Sequence, residues 1–177
     1  DLGIGDRNIR PDAAMGYEAC KIASKDPVNQ GNIGAGTGAT AGKLFGMAQA
    51  MKSGLGSSCI DIGNGIKVGA LVAANPFGDI IDPNENCIIA GTRTILKGSF
   101  KIGAAPIFAN TLVMMKSFSG RTVLKFANQQ NTVIAVVATN AKLSKDEVNK
   151  FAQMSQDGLA RVISPSHTML DGDTMFA

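Results

Sequence analysis

The clearest pattern in the chain is Thr132–Thr139 (TVIAVVAT), whose β-branched and small apolar residues predict a strand too apolar to face water on either side. Ile66–Ala74 (IKVGALVAA) reads as a second buried strand, ended by Asn75-Pro76. Cys87–Ala90 predicts a short partner strand. After the first of these runs comes Ser144-Lys145-Asp146-Glu147, a capping box in which Ser144 and Glu147 satisfy the first backbone donors of a helix. That helix carries Val148, Phe151, Ala152, Leu159 and Val162 at near-helical spacing, and Pro165 is expected to end it. Near the start, Arg10-Pro11-Asp12 leads into a short helix over Met15–Ala23, with Met15, Ala19 and Ile22 on one side. Residues 91–130 show no clean period and are expected to form an irregular connection. The pattern is mixed α and β, with strands buried under helices.

Composition narrows the class. A chain of 177 residues with 45% hydrophobic content suits one domain with a filled core, which argues against intrinsic disorder. Glycine contributes 21 residues, aromatics only 5%, and tryptophan none, so the interior is built from small side chains and close backbone. The charged fraction of 18% is below the usual quarter, pointing to much buried or interface surface. The net charge of +3 is too mild for a nucleic-acid binder. Its surplus lies in residues 91–130, which hold 6 basic and no acidic side chains. Those charges are spread among Gly, Thr, Phe and Met, which reads as a solvated connector.

Cys20, Cys59 and Cys87 are odd in number and include no CxxC pair, so neither a disulfide framework nor a zinc site is expected. A reducing, cytoplasmic compartment fits best. The longest uncharged apolar stretch, Ile102 to Met115, is too short to span a bilayer and contains Pro106, so no membrane role is expected. No secretory signal opens the chain. It begins at Asp1 and stops on an apolar run, and is expected to be part of a longer protein.

Several motifs invite chemistry. The glycine-rich stretch Gly31–Lys43 suggests a phosphate loop but fails on spacing, since Thr37 and Leu44 stand where Gly and Ser or Thr are needed. Gly34-Ala-Gly36 follows no strand signal, so a dinucleotide site is not expected either. The bland alternative is a close-packed glycine turn followed by a surface Lys43. His167 is the only histidine, has no GxSxG elbow to serve, and reads as a turn or capping residue. Asp171-Gly172-Asp173 alone fits a solvated turn or a calcium-loop fragment better than a catalytic pair. Asn131-Thr132 stands where the basic connector meets the apolar strand. A hydroxyl there can attack a strained preceding peptide, and the α-amine released, with a pKa of about 8, can act as general base for that hydroxyl.

Five blocks occur together: GNIGAGTGATAGK (31–43), AMKSGLGS (50–57), VGALVAANPFGDIID (68–82), NTVIAVVATNAKLSKDEVNKFAQMSQDGLARVISP (131–165) and HTMLDGDTMFA (167–177). In this order they closely resemble the L-aminopeptidase/D-esterase (DmpA-like) family, which includes β-peptidyl aminopeptidases and the nylon-oligomer hydrolase. The resemblance implies a self-cleaving, N-terminal-nucleophile-like hydrolase with a four-layer αββα sandwich, an α+β fold here incomplete. It implies an autocleavage bond at Asn131–Thr132, with residues 91–131 as the linker to it and 132–177 as the start of the nucleophile-bearing subunit. Thr132 would be the nucleophile, a position where other members use Ser. Lys43 matches the lysine beside the nucleophile, Asn75 the asparagine that holds the developing oxyanion, and Asp171 and Asp173 the pair that orients the nucleophile and its amine. Family chains begin well upstream, in a segment supplying further sheet and a Tyr that shares the oxyanion role.

The function so implied is a serine/threonine-type aminopeptidase or amidase acting on small peptides or amino-acid amides and esters. It would use no metal or cofactor, bind no nucleic acid, and assemble as a homo-oligomer, a tetramer by resemblance. Two alternatives stand beside it: an acyltransferase of the ornithine-acetyltransferase type on the same nucleophile, and an uncleaved, non-catalytic homologue.

Overall fold

The computed structural model describes Ile4, Asp6 and residues 8–97, 100–102, 107–117 and 131–177. Its main sheet has four strands: β3 (Leu55–Asp61), β4 (Lys67–Ala73), β9 (Ile134–Thr139) and β11 (Thr174–Phe176), in the order β11-β9-β4-β3. β3 and β4 form an antiparallel hairpin over seven register pairs, from Leu55↔Ala73 to Asp61↔Lys67. β9 lies antiparallel to β4, and β11 lies parallel to β9 with Thr174 opposite Ile134. The two strongest strand signals in the sequence are therefore neighbours at the centre of this sheet.

The pleat splits β9 between two environments. Val133, Ala135 and Val137 are buried, and Val133 packs with Leu159 and Ile163 against Val72, Val162 and Met175. Leu159 belongs to α3 (Lys145–Val162), which opens with the expected capping box: Glu147 accepts the Ser144 N–H at 2.7 Å and the Ser144 hydroxyl accepts the Glu147 N–H at 3.4 Å. On the other side Ile134 and Val136 are 51% and 47% exposed. The run is thus not buried on both faces as its composition suggested; alternation sends every second residue toward an open cavity. α3 stops at Val162, before Pro165, because Ile163–Ser164 form β10.

β10 pairs with β5 (Asp79–Asp82), which also pairs with β6 (Cys87–Ala90), giving the latter strand its partner. β1 (Thr40–Ala41) and β2 (Met51–Lys52) form a small ribbon. α1 (Ala13–Lys21) is capped by Asp12 and buries none of its residues, so Met15 and Tyr17 stay exposed. Cys20, Cys59 and Cys87 are free and exposed. No helix among the described residues is long and apolar enough to cross a membrane.

Structure also occurs where the sequence showed no period. β7 (Ile95–Lys97) and β8 (Phe100–Ile102) form a hairpin, and α2 (Thr111–Lys116) follows. This segment is fastened to β5 by the buried Asp79. Its carboxylate accepts the Thr92 N–H at 2.8 Å, the Thr111 N–H at 2.6 Å and the Thr111 hydroxyl at 2.8 Å. Burial raises the Asp79 pKa above its ordinary value, and those hydrogen bonds oppose the rise. Residues 118–130, the rest of the expected connection, lie outside the described residues. The described chain has one helix layer, α3, on one face of the four-stranded sheet.

Candidate active site

The turn after β4 and the end of the glycine-rich block meet beneath the start of β9. Gly42 has φ +68°, and a Cβ there would strike the Thr92 backbone nitrogen, so only glycine fits this crossing. Its N–H donates to the Gly78 carbonyl at 2.9 Å, and the Lys43 N–H donates to the Phe77 carbonyl at 2.9 Å. The Leu44 N–H is held by the Thr92 hydroxyl at 3.3 Å. Lys43 is thereby turned inward and is 7% exposed, not the surface residue a plain glycine turn would present.

Lys43 Nζ donates to two oxygens of one residue: the Asn75 carbonyl at 2.9 Å and Asn75 Oδ1 at 2.6 Å. Oδ1 also accepts the Thr40 N–H at 3.0 Å. Two obligate donors on this atom assign it as the oxygen, which leaves Nδ2 as the donor end of the amide. Burial pushes the Lys43 pKa down to about 8, and the nearby Asp171 carboxylate pulls the other way.

Thr132 reaches the same centre through its backbone. Its N–H donates to the Asn75 carbonyl at 3.1 Å, so Lys43 and Thr132 share one acceptor oxygen. The Thr132 hydroxyl donates to the carbonyl oxygen of Asn131 at 2.6 Å, and the Gly172 N–H donates to that oxygen at 2.9 Å. Asn131 itself is 2% exposed, its side-chain amide donating to the Leu170 carbonyl at 3.1 Å.

The two aspartates face different partners. Asp173 Oδ1 accepts the Val133 N–H at 2.8 Å, and Oδ2 lies 2.8 Å from His167 Nδ1. Asp171 Oδ1 accepts the Phe77 N–H at 2.9 Å, while Oδ2 accepts the Thr168 hydroxyl at 2.6 Å and its N–H at 3.2 Å. Asp173 therefore fixes the backbone directly after Thr132. Asp171 ties the DGD turn to the Asn75-Pro76-Phe77 turn and supplies the negative charge felt by Lys43.

Lys43, Asn75, Asn131, Thr132, Asp171 and Asp173 thus converge from four stretches of chain into one linked hydrogen-bonded cluster. His167 does sit in a turn, with φ +50°, yet its ring also contacts Asp173. The turn or capping reading of His167 gave no sign of that second connection. Thr40, Thr168 and Gly172 are further members of the cluster that carry no signal of their own in the sequence. Beside it opens a cavity of about 500 Å3 into which Thr132 and Asn75 face, walled mainly by Leu55, Leu71, Ala73, Ile134 and Val136. Such a place holds a hydroxyl, a buried amine of lowered pKa and amide donors next to an apolar pocket, the equipment of acyl transfer.

Residues 4–177 match the model of Peptidase family S58. The whole chain is 37% identical over 177 residues to an uncharacterised aminopeptidase of Mycobacterium tuberculosis, covering 47% of that protein. It is also 37% identical over 185 residues to one of Mycobacterium leprae, covering 46%. A 6-aminohexanoate-oligomer endohydrolase of Paenarthrobacter ureafaciens is 31% identical over 177 residues, again with 47% of its length covered. The chain spans about half the length of these relatives.

Proposed function

The chain belongs to peptidase family S58, and from that membership we propose that the protein is a self-processing hydrolase of amide and ester bonds in small peptides or amino-acid derivatives. The observation that carries this reading is the 2.6 Å contact between the Thr132 hydroxyl and the carbonyl oxygen of its own peptide bond with Asn131. The names of the relatives, aminopeptidases and an oligomer endohydrolase, support the same reaction class. The αββα sandwich belongs to this proposal too, with the Ile134/Val136 side of the main sheet as its inner face.

In the first stage Thr132 Oγ1 bonds to the Asn131 carbonyl carbon, the C–N bond breaks, and the hydroxyl proton passes to the departing nitrogen. The product is an Asn131 ester on Oγ1 and a free α-amine. Water then cleaves the ester, leaving the Asn131 carboxylate and returning a proton to Oγ1. In turnover the α-amine takes the hydroxyl proton as Oγ1 attacks the substrate carbonyl, then gives it to the leaving amine or alcohol. Asn75 Nδ2 donates to the oxyanion of this second reaction, and Lys43 is the positive charge beside the nucleophile. Asp173 holds the Val133 N–H, and Asp171 counterbalances Lys43. The apolar cavity suits an aliphatic side chain on the acyl portion.

Intact mass spectrometry of the full-length protein under denaturing conditions tests this. Two fragments meeting at 131/132, reduced to one uncut chain by Thr132→Ala, are expected. A single chain from the wild-type protein would leave a non-catalytic homologue as the better reading.

A further inference from the structure

The register of the parallel pair β9–β11 continues past both strands: Asn131 bridges Asp171, as Ile134 pairs with Thr174 three residues on. Two ladder hydrogen bonds of the same type follow. Gly172 N–H donates to the Asn131 carbonyl and Thr174 N–H to the Val133 carbonyl, each at 2.9 Å. The first of these carbonyls belongs to the bond that the proposed self-cleavage would break; the second does not.

When Oγ1 adds to the Asn131 carbon, the carbonyl oxygen takes the negative charge. A donor fixed by sheet pairing before the reaction needs no reorganisation to stabilise that charge. Resting on the self-processing reading, we infer that the Gly172 N–H is the oxyanion donor for cleavage of Asn131–Thr132. The residue's missing side chain matters as well. A Cβ on Gly172 would stand 3.1 Å from Thr132 Oγ1, closer than ordinary contact, so a larger residue would push the attacking hydroxyl from its place. Gly172 lies between two aspartates whose carboxylates are engaged with Val133 and Phe77, and this pins its N–H on the scissile carbonyl. The donor acts on the chain's own peptide, in a step separate from the Asn75 amide's role in turnover.

The test replaces single backbone N–H groups by ester oxygens in the full-length protein, with glycolic acid at 172 or the α-hydroxy analogue of Thr at 174. Each removes one ladder hydrogen bond of equal length from the same strand pair. Cleavage followed by intact mass should slow one hundred- to a thousand-fold with the 172 ester. It should stay within about threefold of wild type with the 174 ester. Equal slowing by both would make the Gly172 contact structural only, and wild-type cleavage with the 172 ester would overturn the inference outright. Wild-type protein that never cleaves would instead refute the self-processing reading on which the inference rests. Gly172→Ala gives a second readout: slower cleavage with an unchanged melting temperature is expected, and unchanged cleavage would remove the steric part of the argument.

Discussion

Replacing Lys43 by Met asks what the shared acceptor on Asn75 does once Thr132 carries a free amine. Lys43 Nζ is 2.9 Å and Thr132 N is 3.1 Å from the same carbonyl oxygen, so the two nitrogens lie within about 6 Å of each other. In the intact chain one of them is an uncharged amide. Cleavage at 131/132 would turn it into an amine whose ordinary pKa is about 8. A unit charge about 6 Å away interacts with it by roughly 3 kcal/mol at an effective dielectric of 20, which corresponds to about 2 pKa units. The sign is downward, because the Lys43 ammonium disfavours a second positive charge beside it. Asp171, which pulls Lys43 the other way, trims the effect to about 1–2 units. A midpoint between about 6 and 7 would leave half or more of the α-amine of the processed protein neutral at pH 7, ready to act as a base. Lys43→Met should return its midpoint to about 8, while Lys43→Arg should keep it low. Competitive acetylation of the Thr132 amine across about pH 5–9, read by mass spectrometry, measures the midpoint even in a variant without turnover. Where Lys43 is also needed for the cut, the two segments can be co-expressed as separate chains meeting at 131/132. Coincident midpoints in wild type and Lys43→Met would refute the coupling.

Other expectations are simpler. Thr132→Ser should keep both cleavage and turnover, whereas Thr132→Ala should lose both; hydrolysis of an amino-acid amide by the alanine variant would remove Thr132 from the mechanism. Leu159→Ala opens a gap against Val133 and Ile163 and should cost about 2–4 kcal/mol in denaturant unfolding. Asp79→Asn puts an amide donor against backbone N–H groups that now meet oxygens, and should destabilise by about 1–3 kcal/mol. The raised pKa of Asp79 means that the folded state holds this proton more tightly than the unfolded state. Its contribution to stability should decline as pH rises from about 4 through the folded-state value, a slope that Asp79→Asn abolishes in melting curves.

What could be read in the chain beforehand was what local chemistry writes there. Thr132–Thr139 and Ile66–Ala74 are β-branched runs and became the central strands; Ser144 and Glu147 form a cap within four residues and became one. β3 was missed because Gly56, Ser57 and Ser58 carry little strand propensity, and it is held by pairing with β4. The hairpin of β7 and β8 and the α2 turn were missed because their anchor is Asp79, a side chain far away in sequence. The candidate site shows the same limit more sharply. Lys43 and Asn75 are 32 positions apart and Phe77 and Asp171 are 94, distances at which spacing says nothing. Family resemblance named Lys43, Asn75 and Asp171, but not Phe77, nor that Asp171 and Asp173 would spend their oxygens on backbone N–H groups. Gly172 carries no side chain at all, and only coordinates can expose a contact made by its backbone.

The main sheet has one more consequence if the chain is cut at 131/132. β3 and β4 would lie in one fragment and β9 and β11 in the other, yet β4 and β9 are hydrogen-bonded neighbours at its centre. The two pieces would thus stay together as a single particle, and their separation would require tearing the sheet through its middle. Unfolding would become a dissociation, and refolding an encounter between two chains whose success depends on concentration. A protein processed in this way folds once as a monomeric chain and afterwards persists by the slowness of its unfolding rather than by its capacity to refold.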